Sequence, residues 1–280
     1  MIFGAHCSGG IKKAIDRATE IGADALQLFV QSPRAWRFPD HDPADLEAFC
    51  ERRDKSGLGA VLVHSLYLVN LATPNDEFYG KSVETMRRTV ETSCAIKADG
   101  VVLHVGSHQG AGFDACLERV VPALESVLEL CSDTTWLLME NTAGAGGTIG
   151  RSVDELETIF ERLGRHPRLG ICLDSCHLYA SGTDVTNRDE LDRLLDEIDS
   201  TLGLDRVRAL LVNDSKTPLG SNRDRHDNIL DGVMGEKLGC FLAHPAFQTL
   251  PAVLEVPGAD GHGPNADEVR KLRELHARWA

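Results

Sequence analysis

Acidic and imidazole side chains follow directly after short apolar segments of this chain. In LGICLDSCH, the apolar residues 169–173 predict a buried strand, and Asp174 and His177 come at its end. Burial of either side chain costs free energy unless a hydrogen-bond partner or an opposite charge compensates it. An acid and an imidazole three residues apart can both face one opening, where a divalent metal ion would satisfy both. For this segment alone, a helix-capping Asp174 and a surface His177 explain the sequence equally well.

The same succession recurs along the whole chain. Seven apolar segments end in polar side chains, and an eighth, ALQLFV, ends near Phe29. The residues at the polar ends are His6, His64, His104, Glu140, Asp174, Asn213 and Glu255. The intervals leave room each time for a strand, a helix and two loops, which predicts a (β/α)8 TIM barrel. The carboxyl ends of the strands meet on one face of that fold, so we expect the functional site there.

Apolar residues at helical spacing predict the outer helices. We expect them at residues 11–22, 43–57, 80–98, 113–131, 187–203 and 266–278. The glycines at 144, 146, 147 and 150 lack the spacing of a dinucleotide or phosphate-binding loop, so no nucleotide cofactor is expected.

The composition fits one barrel domain spanning residues 1–280. With 42% hydrophobic residues and no Pro/Gly/Ser-rich linker, the chain can bury a full barrel core. No apolar run is long enough to span a bilayer, and residues 1–10 predict a strand rather than a signal peptide. We therefore expect a cytoplasmic protein with no membrane partner, and as a separate expectation a monomer. The eight cysteines show no C-x-x-C spacing and are expected to be reduced and mostly in the core.

The formal net charge of -14 lowers the expectation of simple electrostatic binding to nucleic acid. Carboxylates that hold metal ions would offset part of that charge, and a local basic rim is compatible with an acidic body. The loop QSPRAWRF carries Arg34, Trp36 and Arg37, which suit contact with phosphates and bases. Packing of Trp36 on the barrel rim explains the same residues equally well.

Two further loops are expected on the site face. The apolar run after His64 contains Tyr67 and Leu68, which predict either a wedge for an open duplex or a hydrophobic lid. In the long polar loop after the seventh strand, Asp224 and His226 are two residues apart, so an extended chain places both on one side. Arg223 and Arg225 would then point the other way, toward phosphates, although a surface charge cluster is the alternative.

One face would thus collect eight metal-binding side chains. They are His64, His104, Glu140, Asp174, His177, Asp224, His226 and Glu255. This set is too large for one tetrahedral ion and sufficient for two or three. Sites with several metal ions suit the hydrolysis of phosphate esters.

The motifs that contain these residues resemble one known family over almost the whole chain. GAHCS, VHSLYLVNLATP, LHVGSH, LMENTAGAGG, CLDSCHLYASG, VNDSK, DRH and LEVP occur in the order and spacing of the endonuclease IV family. The resemblance implies a zinc-dependent apurinic/apyrimidinic endonuclease of base excision repair. Such an enzyme cuts double-stranded DNA on the 5′ side of an abasic site and removes 3′-blocking sugar fragments.

The resemblance also implies a role for each residue. His64 and His104 would hold a first metal ion, which Glu140, the residue expected to be essential for catalysis, would bridge to a second. Asp174 and Glu255 would complete the second position, and His177, Asp224 and His226 would hold a third ion. The side chains expected to enter the minor groove at the lesion are Arg34, Tyr67 and Leu68.

The sequence departs from the family pattern at three positions. The seventh strand of the family ends H-x-N-D with the His on the second metal, but Leu211 stands there in this chain. Leu230 stands where the family motif I-G-x-G has its first glycine, and Ser32 replaces a common Asn. The first departure leaves the second position with oxygen ligands only, so we expect two to three Zn²⁺ per chain and a second site that is empty, weak or selective for Mn²⁺.

Two other functions remain open on the sequence. A metal-dependent sugar isomerase or epimerase would share the barrel and its strand-end ligands, but it has no use for the DRH residues as a third site. A DNA-binding protein that lost its activity together with the seventh-strand His is the other alternative. Turnover of an abasic-site duplex distinguishes the three.

Overall fold

Eight parallel strands close into a barrel in the computed structural model, which describes residues 1–280. The barrel strands are β1 (Ile2–His6), β2 (Ala25–Leu28), β3 (Ala60–His64), β4 (Gly100–Leu103), β5 (Trp136–Glu140), β6 (Leu169–Asp174), β7 (Val207–Leu211) and β10 (Pro251–Leu254). Neighbours along the chain pair in order, and β1 closes the ring against β10. The predicted TIM barrel is confirmed. The seventh strand ends at Leu211, so Asn213 lies just beyond it.

A short antiparallel hairpin of β8 (Asp214–Ser215) and β9 (His226–Asp227) stands on the carboxyl-end face of the barrel. It shapes the polar loop that was predicted after the seventh strand. Because β9 carries His226, the hairpin brings part of this loop back over the barrel opening.

Nine α-helices accompany the strands. They are α1 (Gly10–Glu20), α2 (Pro43–Ser56), α3 (Asp76–Ala95), α4 (Phe113–Leu128), α5 (Val153–Arg162), α6 (Ser175–Ser181), α7 (Arg188–Thr201), α8 (Gly239–Leu242) and α9 (Ala266–Trp279). None of them is long and apolar enough to cross a membrane.

Several predicted helix boundaries were wrong by a few residues. Helix α3 starts at Asp76 rather than 80, because the Asn75 side chain accepts a hydrogen bond from the Phe78 N–H and caps the helix there. Helices α1 and α3 end before 22 and 98, since Gly22 and Lys97 adopt the left-handed conformation that stops a helix. Helix α4 ends at Leu128 rather than 131, and α7 spans 188–201 rather than 187–203. Helices α5, α6 and α8 were not predicted.

Two apolar layers hold the barrel together. Sixty-three buried residues form the layer between the sheet and the helices. A second cluster fills the barrel interior, and its members are Leu62, Val102, Leu138, Cys172, Ala209, Leu211 and Val253. The barrel interior is therefore filled by apolar side chains below the strand ends, and the buried acidic and imidazole side chains His64, Glu140, Asp174 and His177 lie at or just beyond the strand ends. All eight cysteines are free, and five of them are buried.

Candidate metal centre

The ends of β3, β4 and β5 bring together His64, His104 and Glu140. One ligand atom from each lies within 4.8 Å of the others. The Oε2 atom of Glu140 is 3.2 Å from His64 Nε2 and 3.5 Å from His104 Nε2. Glu140 is fully buried, so its charge has no water to solvate it and depends on these neighbours.

A second group forms where β6 passes into α6. Asp174, His177 and His226 offer ligand atoms within 4.8 Å of one another. The two carboxylate oxygens of Asp224 lie 3.3 Å from His177 Nε2 and 3.2 Å from His226 Nε2. Asp174 also caps α6, since its Oδ1 accepts the His177 N–H at 2.7 Å. His177 itself is buried and not a surface residue.

Backbone hydrogen bonds fix how two of the imidazoles face these carboxylates. His64 Nδ1 lies 2.8 Å from the Ser65 carbonyl oxygen, and His177 Nδ1 lies 3.0 Å from the Asn141 carbonyl oxygen. A carbonyl only accepts, so each Nδ1 must carry the proton and each neutral ring presents the Nε2 lone pair. Those lone pairs face carboxylate oxygens of Glu140 and Asp224 at 3.2 and 3.3 Å. Two acceptors at this distance require a cation or an additional proton between them.

The pKa shifts of these residues show how burial and neighbouring charges oppose each other in the centre. Burial alone would raise the pKa of Glu140, but the three imidazoles of His104, His177 and His64 hold it well below its usual range. Burial works to lower the pKa of His64, but its hydrogen bond to Glu140 and the neighbouring acids raise it to about 9. The pKa of His177 is raised well above its usual value against the effect of burial, by Asp174, Asp224 and Glu140. A metal ion would compete for the atoms that take these protons.

Two buried atoms of the centre have no hydrogen-bond partner. They are Glu140 Oε1 and His226 Nε2. Buried polar atoms are rarely left unsatisfied, because the loss costs about 1–3 kcal/mol each. Imidazole nitrogens and carboxylate oxygens together form the donor set that suits Zn²⁺. The residues of both groups therefore fit metal ions.

Glu255 belongs to neither group. Its Oε1 atom accepts a hydrogen bond from Gln27 Nε2 and lies 3.7 Å from His6 Nδ1. Burial raises the pKa of Glu255, and the nearby charges of Glu140 and Asp174 raise it further, against the effect of His64. The Glu255 carboxylate is thus close to those of Glu140 and Asp174, but it also contacts the Gln27 amide and lies near the His6 imidazole.

A cavity of about 540 Å³ lies next to His104 and His177 and is lined by aromatic, apolar and polar side chains. Tyr67 and Leu68 project from its rim with 61% and 42% of their surfaces exposed. The flanking Leu66 and Val69 are buried and anchor this loop.

The loop after β2 forms another part of the rim. Trp36 lines the same cavity and stacks on Phe78 with 6.3 Å between the ring centroids, whereas Arg34 is exposed. Trp36 thus packs on the rim and also faces the opening.

Known proteins match this chain over nearly its full length. A family model of xylose isomerase-like TIM barrels matches residues 15–278. The probable endonuclease 4 of Halothermothrix orenii is 38% identical over 276 residues, which cover 98% of this chain and 99% of that protein. The crystal structure of endonuclease IV from Thermus thermophilus superposes with a TM-score of 0.86 at 33% identity, over 99% of this chain and 100% of that one.

The chain belongs to the endonuclease IV family. It is an enzyme, a hydrolase of the endonuclease IV type. A D-tagatose 3-epimerase-like protein also superposes, with a TM-score of 0.72 over 100% of this chain and 97% of its own, but at 16% identity this likeness shows the fold alone.

Two side chains support the carboxylates of this endonuclease IV family centre in roles that the sequence did not predict. Gln27, which was not singled out, and Asn213, which was recognised only as the polar end of the seventh segment, are fully buried and donate to Glu255 and Asp174, respectively. Gln27 lies within β2, the strand whose segment was expected to end near Phe29. Cys176, predicted as a core cysteine, is buried and also lies within 4.8 Å of ligand atoms of Asp224 and His226.

His108 has a structural role in the loop that follows β4. Its Nδ1 atom accepts N–H groups from Gly110 and Gly112. The ring also packs against Gly147, where a Cβ atom would lie 2.5 Å from it. His108 therefore joins two loops of the site face and stays outside the metal-binding groups.

Proposed function

We propose that this protein is a zinc-dependent phosphodiesterase that cleaves double-stranded DNA on the 5′ side of abasic sites, as an endonuclease of base excision repair. Removal of 3′-blocking sugar fragments is the second reaction proposed for the same site. Every residue required comes from one chain, so the proposal needs no second subunit.

The observation that carries this proposal is the pair of Nε2 lone pairs that face carboxylate oxygens. His64 meets Glu140 and His177 meets Asp224 in this way, at two separate places in one row of ligands. Ring centroids in the row His64, His104, His177, His226 are spaced 5.5 Å apart at each step. A continuous row of this kind supports several metal ions rather than one.

The ligands divide among the proposed positions by proximity. His64, His104 and Glu140 would hold the first ion, and His177, Asp224 and His226 another. Glu140 Oε2 faces His64 and His104, whereas Oε1 is directed toward His177, 2.9 Å from its Nδ1, so the two oxygens point in different directions and suit a bridge from the first ion to a second position. When bound, the ions supply Lewis-acid polarisation of a phosphate ester and activation of a water nucleophile.

The remaining residues of the site would bind and orient DNA. The exposed Tyr67 and Leu68 are apolar side chains on an anchored loop, which suits insertion between base pairs. The cavity behind them ends at His104 and His177 and would receive the nucleotide that leaves the helix. Arg34 beside this loop would contact a phosphate or the groove.

The substitution Glu140→Gln tests the proposal. It keeps the size of the side chain but removes the buried charge shared by both groups. Loss of a residue that only supports a metal ligand typically costs about 10–100-fold in activity or affinity, so a proposed bridging ligand should cost more than about 100-fold. The measurement is the rate of nicking of a duplex with one abasic site, together with the thermal unfolding curve.

Glu268→Gln is the matched control, because Glu268 is equally buried but lies on α9 and hydrogen-bonds Lys271 and the Ile229 N–H. It should nick abasic DNA at close to the wild-type rate. A folded Glu140→Gln protein with near-wild-type nicking would falsify the role of Glu140. No nicking by the metal-loaded wild type, with turnover of a ketose sugar instead, would favour the epimerase alternative.

A further inference from the structure

The buried carboxylates of Glu140 and Asp174 and the partly buried carboxylate of Glu255 lie near the end of β7, where Leu211 supplies no nitrogen ligand. Asp174 on β6 pairs with Leu211 on β7, and Leu211 pairs in turn with Val253 on β10. Glu255 follows Val253 by two residues and therefore faces the same side of the sheet. Leu211 thus lies below the space between Asp174 and Glu255, and Glu140 approaches from β5.

The Leu211 side chain contributes only hydrocarbon to this space. It is fully buried in the cluster that fills the barrel interior, together with Cys172 and Val253. The imidazoles of the centre have carboxylate partners of their own, since His64 and His104 face Glu140 Oε2 and His177 Nε2 faces Asp224. His226 Nε2 lies 3.2 Å from Asp224 and 3.7 Å from Asp174 Oδ2, so its closer partner is also Asp224.

The nearest other nitrogens are already engaged in hydrogen bonds. Asn213 Nδ2 donates to Asp174 Oδ2 at 2.7 Å, and amide nitrogens have no lone pair to offer a metal. His6 Nδ1 lies 3.0 Å from Gln27 Nε2, which donates to it and to Glu255. The carboxylates of Glu140, Asp174 and Glu255 therefore form an all-oxygen set.

We infer that this middle position holds a hard divalent cation, Mn²⁺ or Mg²⁺, between two zinc positions. The inference rests on the proposed function, which places metal ions on either side. Carboxylate oxygens suit Mg²⁺ and Mn²⁺, whereas Zn²⁺ gains much of its affinity from imidazole and thiolate ligands. The absence of a nitrogen ligand weakens zinc binding more than manganese binding, so limiting zinc fills the imidazole-bearing positions first.

The test is a count of metal ions per chain, made without DNA. Protein freed of metal with a chelator is dialysed against micromolar Zn²⁺ and Mn²⁺ together, and bound ions are measured by elemental analysis and by the electron paramagnetic resonance of Mn²⁺. The wild type should retain two zinc ions and one manganese ion. Leu211→His should retain three zinc ions and lose the manganese signal.

Two further variants keep the test decisive if Leu211→His does not fold. Leu211→Met has a similar volume without an imidazole and should keep the wild-type metal content. Glu255→Gln removes one of the three carboxylates and should lose manganese while keeping both zinc ions. Three zinc ions in the wild type would overturn the inference and indicate that another nitrogen, such as that of His6, completes the position. Unchanged manganese binding in Glu255→Gln would overturn it as well.

Nicking of an abasic duplex separates this inference from the proposed function. Protein that holds two zinc ions and one manganese ion but does not nick would refute the function and leave the metal assignment standing. Efficient nicking by a wild type that holds three zinc ions would support the proposed function and refute the metal assignment.

Discussion

At the residue scale, Asp174 serves the helix and the metal centre with different atoms. Its Oδ1 accepts the His177 N–H and caps α6, while its Oδ2 accepts from Asn213 and lies 3.7 Å from His226 Nε2. Capping fixes the side-chain rotamer before any ligand arrives. The orientation of Asp174 toward the centre is thus set by the start of the helix that also carries His177.

Tyr67 is the residue whose substitution separates DNA recognition from metal binding. It is 61% exposed, and its ring lies edge-on to Phe29 and 6.0 Å from the His64 ring. Tyr67→Ala removes the exposed ring but no metal-binding atom. We expect abasic-duplex binding to weaken by about 1–3 kcal/mol, the usual worth of a stacking aromatic, with unchanged metal content. Fluorescence anisotropy and elemental analysis measure the two quantities.

Trp279→Ala is the control for Tyr67→Ala, because Trp279 is a large exposed aromatic at the end of α9. It should leave DNA binding unchanged. Binding of the lesion by Tyr67→Ala at wild-type strength would exclude insertion of Tyr67, and a loss of metal would show that the residue supports the centre instead.

At the scale of elements, the loop after β9 contains a residue in an unfavourable backbone conformation. Leu230 has a φ of 73°, in the left-handed region that costs an L-residue roughly 1–2 kcal/mol. The loop is held there by Asp214, whose carboxylate accepts the N–H groups of Gly232, Met234 and Gly235. A glycine at this position would adopt the same conformation without strain, so the leucine side chain adds conformational energy to the loop.

Comparison of Leu230→Gly with Leu230→Ala measures this strain. Both remove the same packing, but alanine keeps the left-handed penalty and glycine does not. On folding, glycine loses more chain entropy than alanine, which costs about 0.5–1 kcal/mol. The left-handed penalty of alanine is larger, so the Leu230→Gly variant should be more stable than Leu230→Ala by about 0.5–1 kcal/mol. At most positions alanine is the more stabilising of the two residues. Urea unfolding of the two variants gives the difference. An alanine variant that is the more stable of the two would show that the loop relaxes out of this conformation.

The sequence predicted the barrel elements better than the contacts between them. Glu140 and Asp174 were recognised because a carboxylate that ends a buried strand has no structural reason to be there. The grouping of Asp174 with His226 depends on how the β8–β9 hairpin folds back, which no local pattern encodes. Helix α5 was missed beside the glycines that precede it, although Ser152 caps it. The φ of Leu230 depends on Asp214, sixteen residues earlier in the chain.

At the scale of the whole molecule, some arginines form ion pairs with carboxylates and others form none. Those on the outer helices mostly form ion pairs, such as Arg270 with Asp267 and Arg162 with Glu118. Four exposed arginines on loops of the site face form none, and they are Arg34, Arg37, Arg223 and Arg225. A chain of net charge -14 therefore still presents a basic rim around the candidate centre.

This basic rim predicts how DNA binding depends on salt. If Arg223 and Arg225 contact phosphates, each contact releases about one counterion, and the slope of log K against log salt concentration falls by about 0.9 for each one lost. Arg223→Ala and Arg225→Ala should each reduce the slope by about this amount on abasic and on intact duplexes alike. Arg208→Ala is the control, since Arg208 also lacks an ion pair but packs over Trp136 at the amino-terminal end of the strands. Equal slopes for Arg223→Ala, Arg225→Ala and Arg208→Ala would show that the rim arginines do not neutralise phosphates, and DNA would then have to be held by the centre and by Tyr67 and Leu68 alone.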